Sequence, residues 1–315
     1  MTQKIVVLLG GRSLERDISL KSGARVTAAL ESLGYRVVPL DIGPGLVDSL
    51  RSEKPDAVHI ALHGQFGEDG MIQELLDFLG IPYTGCGALA SMLAWDKDLT
   101  KRVLLADGVP TPAWVAFSAD AIKEMGAART LERIGDAIGG YPVCVKPARQ
   151  GSALGIARVE RFEDLADAML AALGYDDKVL VEKWVEGTEI AVPVLGGNGD
   201  VEALPAVEIV PKGGQFDFDA MYTAGETEYF VPARLPDDVL ARATETALAI
   251  HKRFGCRDIS RMDAVVTADG TPQVLEISTQ PGMTDTSIVP LCADESGLGF
   301  EGLVDRLVKA ALARG

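Results

Sequence analysis

The chain has 315 residues, 47% apolar and 24% charged, enough to bury cores in two or three compact units and far too apolar for disorder. A formal charge of −16 and a pI near 4.6 exclude a general nucleic-acid binder, which needs a clustered excess of Lys and Arg. Any site for an anion must then be local, built from a few basic side chains and backbone N–H groups inside a repulsive field.

In the first 95 residues, apolar runs alternate with helical patterns: Ile5 to Leu9, a helix around Lys21 to Leu33, Arg36 to Leu40, Ala57 to Leu62, and a helix near Met71 to Leu79. That rhythm predicts a doubly wound parallel sheet wrapped by helices. Two glycines end the first run before it reaches the length of a signal-peptide core or membrane span, so the chain reads as soluble and unprocessed. Prolines within Gly108 to Pro112, then the β-rich Trp114 to Phe117, mark a change of unit around the helix carrying Lys97 and Lys101, with the boundary at Asp96. From Tyr141 the order is strand (Pro142 to Pro147), glycine-bearing loop (Gln150 to Gly155), strand (Ile156 to Val159) and helix (Glu163 to Leu173), a small α+β unit. Strands dominate from Val179 to Val210. The polar stretch Lys212 to Glu228 is long for a structureless connection and reads as a lid. A helix from Asp237 to Phe254, two strands and an amphipathic helix from Phe300 to Ala313 complete an expected division into an α/β unit, 1–95, and two α+β units, 96–185 and 186–315. The four cysteines lie far apart without a CxxC pair, which suggests neither zinc nor disulfides and fits a reducing cytoplasm.

The most informative local feature is the pair of β-patterned runs from Arg261 to Ser278, joined by Asp269-Gly270, a hairpin signal. A two-residue turn there sets Asp263 opposite Glu276 and Arg261 opposite Ser278, with all four side chains on one face because the strand period is two. Facing carboxylates destabilise a sheet unless something offsets their repulsion, and a divalent cation with oxygen ligands does so. The plainer alternative is two solvated carboxylates on an edge hairpin.

Lys146 ends a strand and is followed by Gly151, Ser152 and Gly155, as suits a flap over phosphates; an ordinary turn with a surface lysine is the alternative. No GxxxxGK[ST] occurs, which excludes a P-loop, and neither GxSxG nor HExxH is present. Gly10-Gly11-Arg12-Ser13-Leu14-Glu15 follows the first strand, where ligands bind in open parallel sheets. Alternatively, Ser13 caps the helix and Glu15 favours its positive end. His63 to Gly70 follows another strand at the same edge, and His63 also reads as a loop histidine bonded to backbone.

Taken in order, Gly10 to Gly23, His63 to Gly70, Asp96 to Lys101, Lys146 to Gly155, Glu182 to Glu189, Asp219 to Pro232 and Arg261 to Pro290 resemble the motif series of the D-alanine–D-alanine ligases, in the ATP-grasp superfamily. The match spans nearly the whole chain, and EISTQPGMTDTSIVP preceded by SRMDA is very specific. The resemblance implies an N-terminal substrate-binding domain and two ATP-grasp domains, central and catalytic, that clamp ATP. It implies ligation of two D-alanines through an acyl phosphate for peptidoglycan precursors, in a cytoplasmic homodimer with no nucleic-acid or membrane partner. Lys97 and Lys146 look like phosphate ligands, and Glu182, Trp184, Val185 and Glu189 like the adenine and ribose site. Asp263, Glu276 and Ser278 look like ligands of Mg²⁺ or Mn²⁺. Arg261 and the Gly282 N–H are similar to oxyanion donors. Glu15, with Ser152 and Tyr222 beside it, is similar to the residue that pairs with the first ammonium. His63 would lie near the first carboxylate, and Ser287 with Ile288 near the second substrate.

The sequence departs from the family pattern at Met221, usually lysine, at Ser278, usually asparagine, at Ala153, often serine, and at Thr286, often histidine. A charge-assisted hydrogen bond contributes roughly 1.5–3 kcal/mol, so losing the lysine without replacement slows chemistry about ten- to a hundredfold. Arg149 and Lys212 are the candidate substitutes. The alternative functions are a related ligase with another acceptor, in a specialised or resistance pathway, and a non-catalytic nucleotide-binding paralogue.

Overall fold

The structure, a computed structural model, describes residues 2–197 and 200–315, with backbone only for 127–130. The first unit contains β1 (Lys4–Leu9), α1 (Arg16–Ser32), β2 (Arg36–Asp41), α2 (Leu46–Glu53), β3 (Ala57–Ile60) and α3 (Met71–Leu79). Its strands form a parallel sheet in the order β2-β1-β3. Alternation along β1 sends Ile5 and Val7 to the face packed by Val26 and Leu30 of α1, and Val6 and Leu8 to the face packed by Leu50, Ile72 and Leu76. Helices therefore cover both faces, as the sequence rhythm predicts. The first helix starts at Arg16, earlier than the apolar pattern suggests, which brings Glu15 to its N-terminus.

Two helices follow, α4 (Ala88–Trp95) and α5 (Lys97–Ala106), and Asp96 caps the second by accepting the N–H groups of Asp98 and Leu99. Then come β4 (Trp114–Ser118), α6 (Ala119–Met125), α7 (Ala127–Ile138), β5 (Val143–Pro147), β6 (Ala157–Val159), α8 (Leu165–Ala172) and β7 (Lys178–Lys183). They build an antiparallel sheet ordered β4-β7-β5-β6. Val143, Val145, Val179 and Val181 point into a core with Ile134, Ile138 and Leu165. Period two therefore turns Cys144, Lys146 and Glu182 to the opposite face.

The third sheet combines β8 (Thr188–Gly197), β9 (Asp200–Ala203), β10 (Val207–Pro211), β11 (Thr227–Phe230), β12 (Ile259–Val266) and β13 (Pro272–Ser278), in the order β11-β10-β8-β12-β13 with β9 on β8. Between β10 and β11 lies α9 (Phe218–Tyr222); α10 (Asp237–Arg253), α11 (Ile288–Glu295) and α12 (Gly299–Leu312) complete the chain. Ile190, Val192, Met262 and Ala264 pack on α10. On the other face Ala191, Leu195 and Ile259 join a core shared with α11, α12 and β1, so the last helix returns to the first sheet. The polar face of the third sheet continues that side: Glu189, Arg261 and Asp263. Among the described residues, the four cysteines are free and buried, and no helix is long and apolar enough to cross a membrane.

The β12–β13 hairpin differs from the sequence expectation in a way that matters. Its loop has three residues, 268–270, not two: Thr267 N–H donates to Thr271 O at 3.1 Å, Gly270 N–H to Thr267 O at 2.8 Å, and Gly270 adopts φ +78. This shifts the pairing by one, so that Ala264 faces Val274. A β-bulge between Asp263 and Ala264 shifts it back, and Asp263 does face Glu276, as Arg261 faces Ser278. The extra residue is Leu275. The bulge lets Leu275 and Glu276 both turn to the polar face while Val274 and Ile277 stay in the core.

Candidate active site

A cavity of about 90 Å³ lies where the loops after β1 and β3, the β5–β6 loop, α9 and the hairpin meet. Glu15 borders it, 2% exposed. Ser152 Oγ donates to Glu15 Oε1 and lies 2.7 Å from the Tyr222 hydroxyl, so one contact joins the first unit, the β5–β6 loop and α9. Ser152 and Ala153 take left-handed backbone (φ +53 and +54), strain held by these bonds. A Cβ at Gly64, itself at φ +69, would strike Glu15 Oε2, so only glycine fits there. That oxygen is buried and has no donor among the described residues. Burial, then the charge of Glu68, push the Glu15 pKa up to about 7. Lys97 and Arg261 line the same cavity, but neither donates to Glu15 Oε2.

The capping alternative for Ser13 holds only in part: Glu15 occupies the N-cap, without a side-chain cap bond, while Ser13 Oγ accepts the Glu15 N–H at 3.2 Å and donates to the His63 carbonyl at 2.7 Å. His63 lines the cavity and its ring is bonded to a side chain, not backbone, with Nε2 2.9 Å from Ser22 Oγ, while Nδ1 lies 3.7 Å from Glu68 Oε1.

Two cations relieve the repulsion expected between Asp263 and Glu276. Arg261 grips Asp263 in bidentate fashion at 2.6 Å per bond, and Lys97 pairs with Glu276 at 3.1 Å while donating to the Gln150 carbonyl at 2.7 Å. The solvated-hairpin alternative is thereby excluded. Burial raises the pKa of Glu276, but Lys97, Lys146 and Arg261 more than reverse this and hold it down at about 2. Burial and the Glu276 charge push Asp263 up, against Arg261. Ser278 borders the same cavity. Among the described residues no three His, Cys, Asp or Glu side chains group to hold a metal. Two carboxylates alone fit Mg²⁺, which takes its remaining ligands from phosphate and water.

A second cavity, about 230 Å³, separates the polar faces of the second and third sheets. Lys146, Glu182, Trp184, Val185 and Glu189 all line it, with Arg158 stacked 4.6 Å above the Trp184 ring. The segment joining the sheets passes so close to β12 that a Cβ at Gly187 would strike the Val266 carbonyl. The Glu182 carboxylate is not free: Lys146 pairs with one oxygen and Lys101 with the other, at 2.7 Å. Burial, then Asp263 and Glu276, raise the Glu189 pKa to about 7.

A third cavity, about 50 Å³, is lined by Phe216, Met221, Tyr229, Ser287 and Ile288, and Gly282 borders both it and the first. A Cβ at Gly282 would sit 2.7 Å from Ser287 Oγ. Arg25 holds this loop from α1, donating to the carbonyls of Met283 (3.2 Å) and Thr284 (2.9 Å), pairing with Asp285, and stacking 3.8 Å over Phe300. Met221 faces the first and third cavities, and neither proposed substitute for a lysine joins it there. Arg149 is bound by Asp176 at 2.8 Å and by Asp177, and Lys212 is exposed.

Sequence reasoning missed Glu68, Gln150, Phe216, Leu275 and the role of Lys101. Only Lys101 left a local signal, its place one helical turn after Lys97.

An α/β unit followed by two α+β units that close polar, lysine-bearing sheet faces over a cavity defines the ATP-grasp class of ligases. The chain belongs to the D-alanine–D-alanine ligase family: the family described as D-ala D-ala ligase C-terminus matches residues 103–309, and D-ala D-ala ligase N-terminus matches 46–86. It is 45% identical over 313 residues to a D-alanine–D-alanine ligase of Moorella thermoacetica, covering 98% of this chain and 99% of that one. Among solved structures it is similar to the D-alanine–D-alanine ligase of Bacillus anthracis complexed with ATP (TM-score 0.83, 29% identity, 99% of each chain). It is also similar to the VanG D-Ala:D-Ser ligase of Enterococcus faecalis (TM-score 0.82, 29% identity, 98% of this chain and 99% of that one).

Proposed function

We propose that the chain joins two D-alanines into D-alanyl-D-alanine at the expense of ATP, through an acyl phosphate, as a step toward peptidoglycan precursors. The observation that carries this reading is the buried oxygen of Glu15 that has no donor among the described residues, facing the cavity that Lys97, Arg261 and Glu276 also face. It suits an ammonium whose own carboxylate reaches the phosphate site. A free carboxylate is a poor electrophile; the acyl phosphate made from it, a mixed anhydride, has a good leaving group. His63 sits beside the first carboxylate. Lys97 and Lys146 bind phosphates, and Trp184, Val185, Glu182 and Glu189 surround the adenine and ribose. Arg261 and the Gly282 N–H stabilise charge that develops only in the transition state. The third cavity holds the second amino acid against Ser287 and Ile288, and its small volume suits a methyl side chain. Asp263 and Glu276, aided by Ser278, hold Mg²⁺ or Mn²⁺, which neutralises phosphoryl charge when bound. We take the units as 1–95, 96–185 and 186–315, and the protein as a cytoplasmic homodimer without nucleic-acid or membrane partners.

ADP release measured across D- and L-amino acids tests the reading: stimulation by D-alanine above all others supports it, and no stimulation by D-alanine ends it. Arg25→Ala tests the acceptor loop. Losing both carbonyl bonds is expected to raise the KM for the second D-alanine about tenfold while the KM for ATP stays within twofold. Equal effects on both KM values would assign Arg25 to general stability.

A further inference from the structure

We propose that Lys101, although it borders none of the cavities described, sets the charge of the nucleotide pocket: by sharing Glu182 with Lys146 it leaves the cluster one net positive charge, which Lys146 offers to phosphate. The inference rests on reading the second cavity as the ATP site.

Lys101 is fully buried, and a buried ammonium is costly unless it is paired and hydrogen-bonded. Here it is both: Nζ lies 2.7 Å from Glu182 Oε2, donates to Thr111 Oγ1 at 2.7 Å and to the Pro112 carbonyl at 3.3 Å, and sits 5.5 Å from the Trp114 ring centroid. The other oxygen of Glu182 pairs with Lys146, which lines the cavity. One carboxylate therefore stands between two ammoniums. A lone Glu182–Lys146 pair would be neutral, and Lys146 would have nothing left over for an anion. With Lys101 the cluster carries one net positive charge, and only Lys146 exposes it to the cavity. Such a buried triad, inside a chain of formal charge −16, concentrates attraction at one point.

The arrangement also spans the junction. Lys97, one turn earlier on α5, pairs with Glu276 of the third sheet, while Lys101 pairs with Glu182 of the second. Thr111, the acceptor for Lys101, donates in turn to the Val274 carbonyl on β13 at 2.7 Å. One helix thus aims a lysine at each of the two sheets that bound the cavity.

Removing the charge at nearly constant volume, Lys101→Met, is expected to weaken ADP binding by calorimetry, and to raise the KM for ATP, about tenfold, with the KM for D-alanine within twofold. The double variant Lys101→Met, Glu182→Gln restores a net positive charge through Lys146. It is expected to bind ADP more tightly than Lys101→Met alone, a rescue that a packing role would not produce. Double-variant binding equal to or weaker than the single variant's overturns the inference. If Lys101→Met does not fold, Thr111→Val gives a smaller rise in the KM for ATP in the same direction, and an unchanged value overturns the inference too. Lys146→Ala separates the two levels: unchanged ADP binding there sinks the ATP-site reading itself, whereas weakened binding beside an unaffected Lys101→Met sinks only the role of Lys101.

Discussion

Glu15→Gln is expected to melt at a higher temperature than the natural chain above pH 7, and yet to use D-alanine hundreds of times less well. Burial and then Glu68 raise the Glu15 pKa from 4.5 to about 7. The folded state therefore takes up a proton that the unfolded chain has already lost. The resulting loss of stability is absent below pH 4.5, grows between 4.5 and 7, and reaches about 3 kcal/mol above 7. Glutamine carries no such charge, so the gain in Tm appears at pH 8 and vanishes near pH 4. Activity moves the other way. A bound ammonium left without its counter-charge in a buried pocket costs roughly 3–5 kcal/mol, a hundredfold to a thousandfold or more in kcat/KM. On the proposed assignment, the natural chain needs ionised Glu15 to bind the ammonium. Its kcat/KM for D-alanine then falls about tenfold per unit below pH 7, and Glu68→Gln, which removes the like charge, moves that inflection to lower pH. Thermal melts at both pH values and a pH–rate profile check all of this. A variant that melts lower at pH 8, or keeps its D-alanine kcat/KM within tenfold, contradicts the assignment of Glu15.

What the residues disclosed by themselves follows the range of the interaction that decides each feature. The continuous apolar run of β1 is a local signal, so the parallel sheet was legible, whereas Asp263 faces Glu276 because a bulge restores the register that the expected two-residue turn would have set. The hairpin loop length was not legible, and neither was the bulge that offsets it, because Leu275 is as plausible in an unbroken strand as in a bulged one. The helix α4 reads ALASMLAW, apolar on every side, and shows no helical period to detect. Ser13 does accept the N–H of Glu15, which a local rule shows, but its hydroxyl proton goes to a carbonyl fifty residues away, which no local rule shows. Nothing along the chain links Glu15 to Glu68, or Lys101 to Glu182, and those pairings fix the charge states of the site. Arg149 lies beside the flap in sequence, yet Asp176 draws it away from the cavity in space. The family resemblance supplied roles for the site residues; tertiary geometry supplied the ion pairs that tune them.

Glu276→Gln is expected to abolish D-alanine-dependent ADP release, by about a thousandfold or more, and to do so without loss of nucleotide affinity in the absence of metal. Glu276 is the carboxylate that Lys97 holds, and it faces Asp263 across the strands. Its removal leaves Asp263, still gripped by Arg261, as a single carboxylate for the divalent ion, and developing phosphoryl charge is then poorly neutralised. The same change frees Lys97 and makes the cavity one charge more positive. ADP in the presence of EDTA should therefore bind the variant at least as tightly as the natural chain. The affinity that added Mg²⁺ confers on the natural chain should disappear. Calorimetry with and without Mg²⁺, alongside the rate, separates this from a general loss of structure, which would weaken both titrations together. Should the variant keep its Mg²⁺-dependent gain in ADP affinity, the hairpin carboxylates are a structural ion-pair network only, and the metal must be held elsewhere.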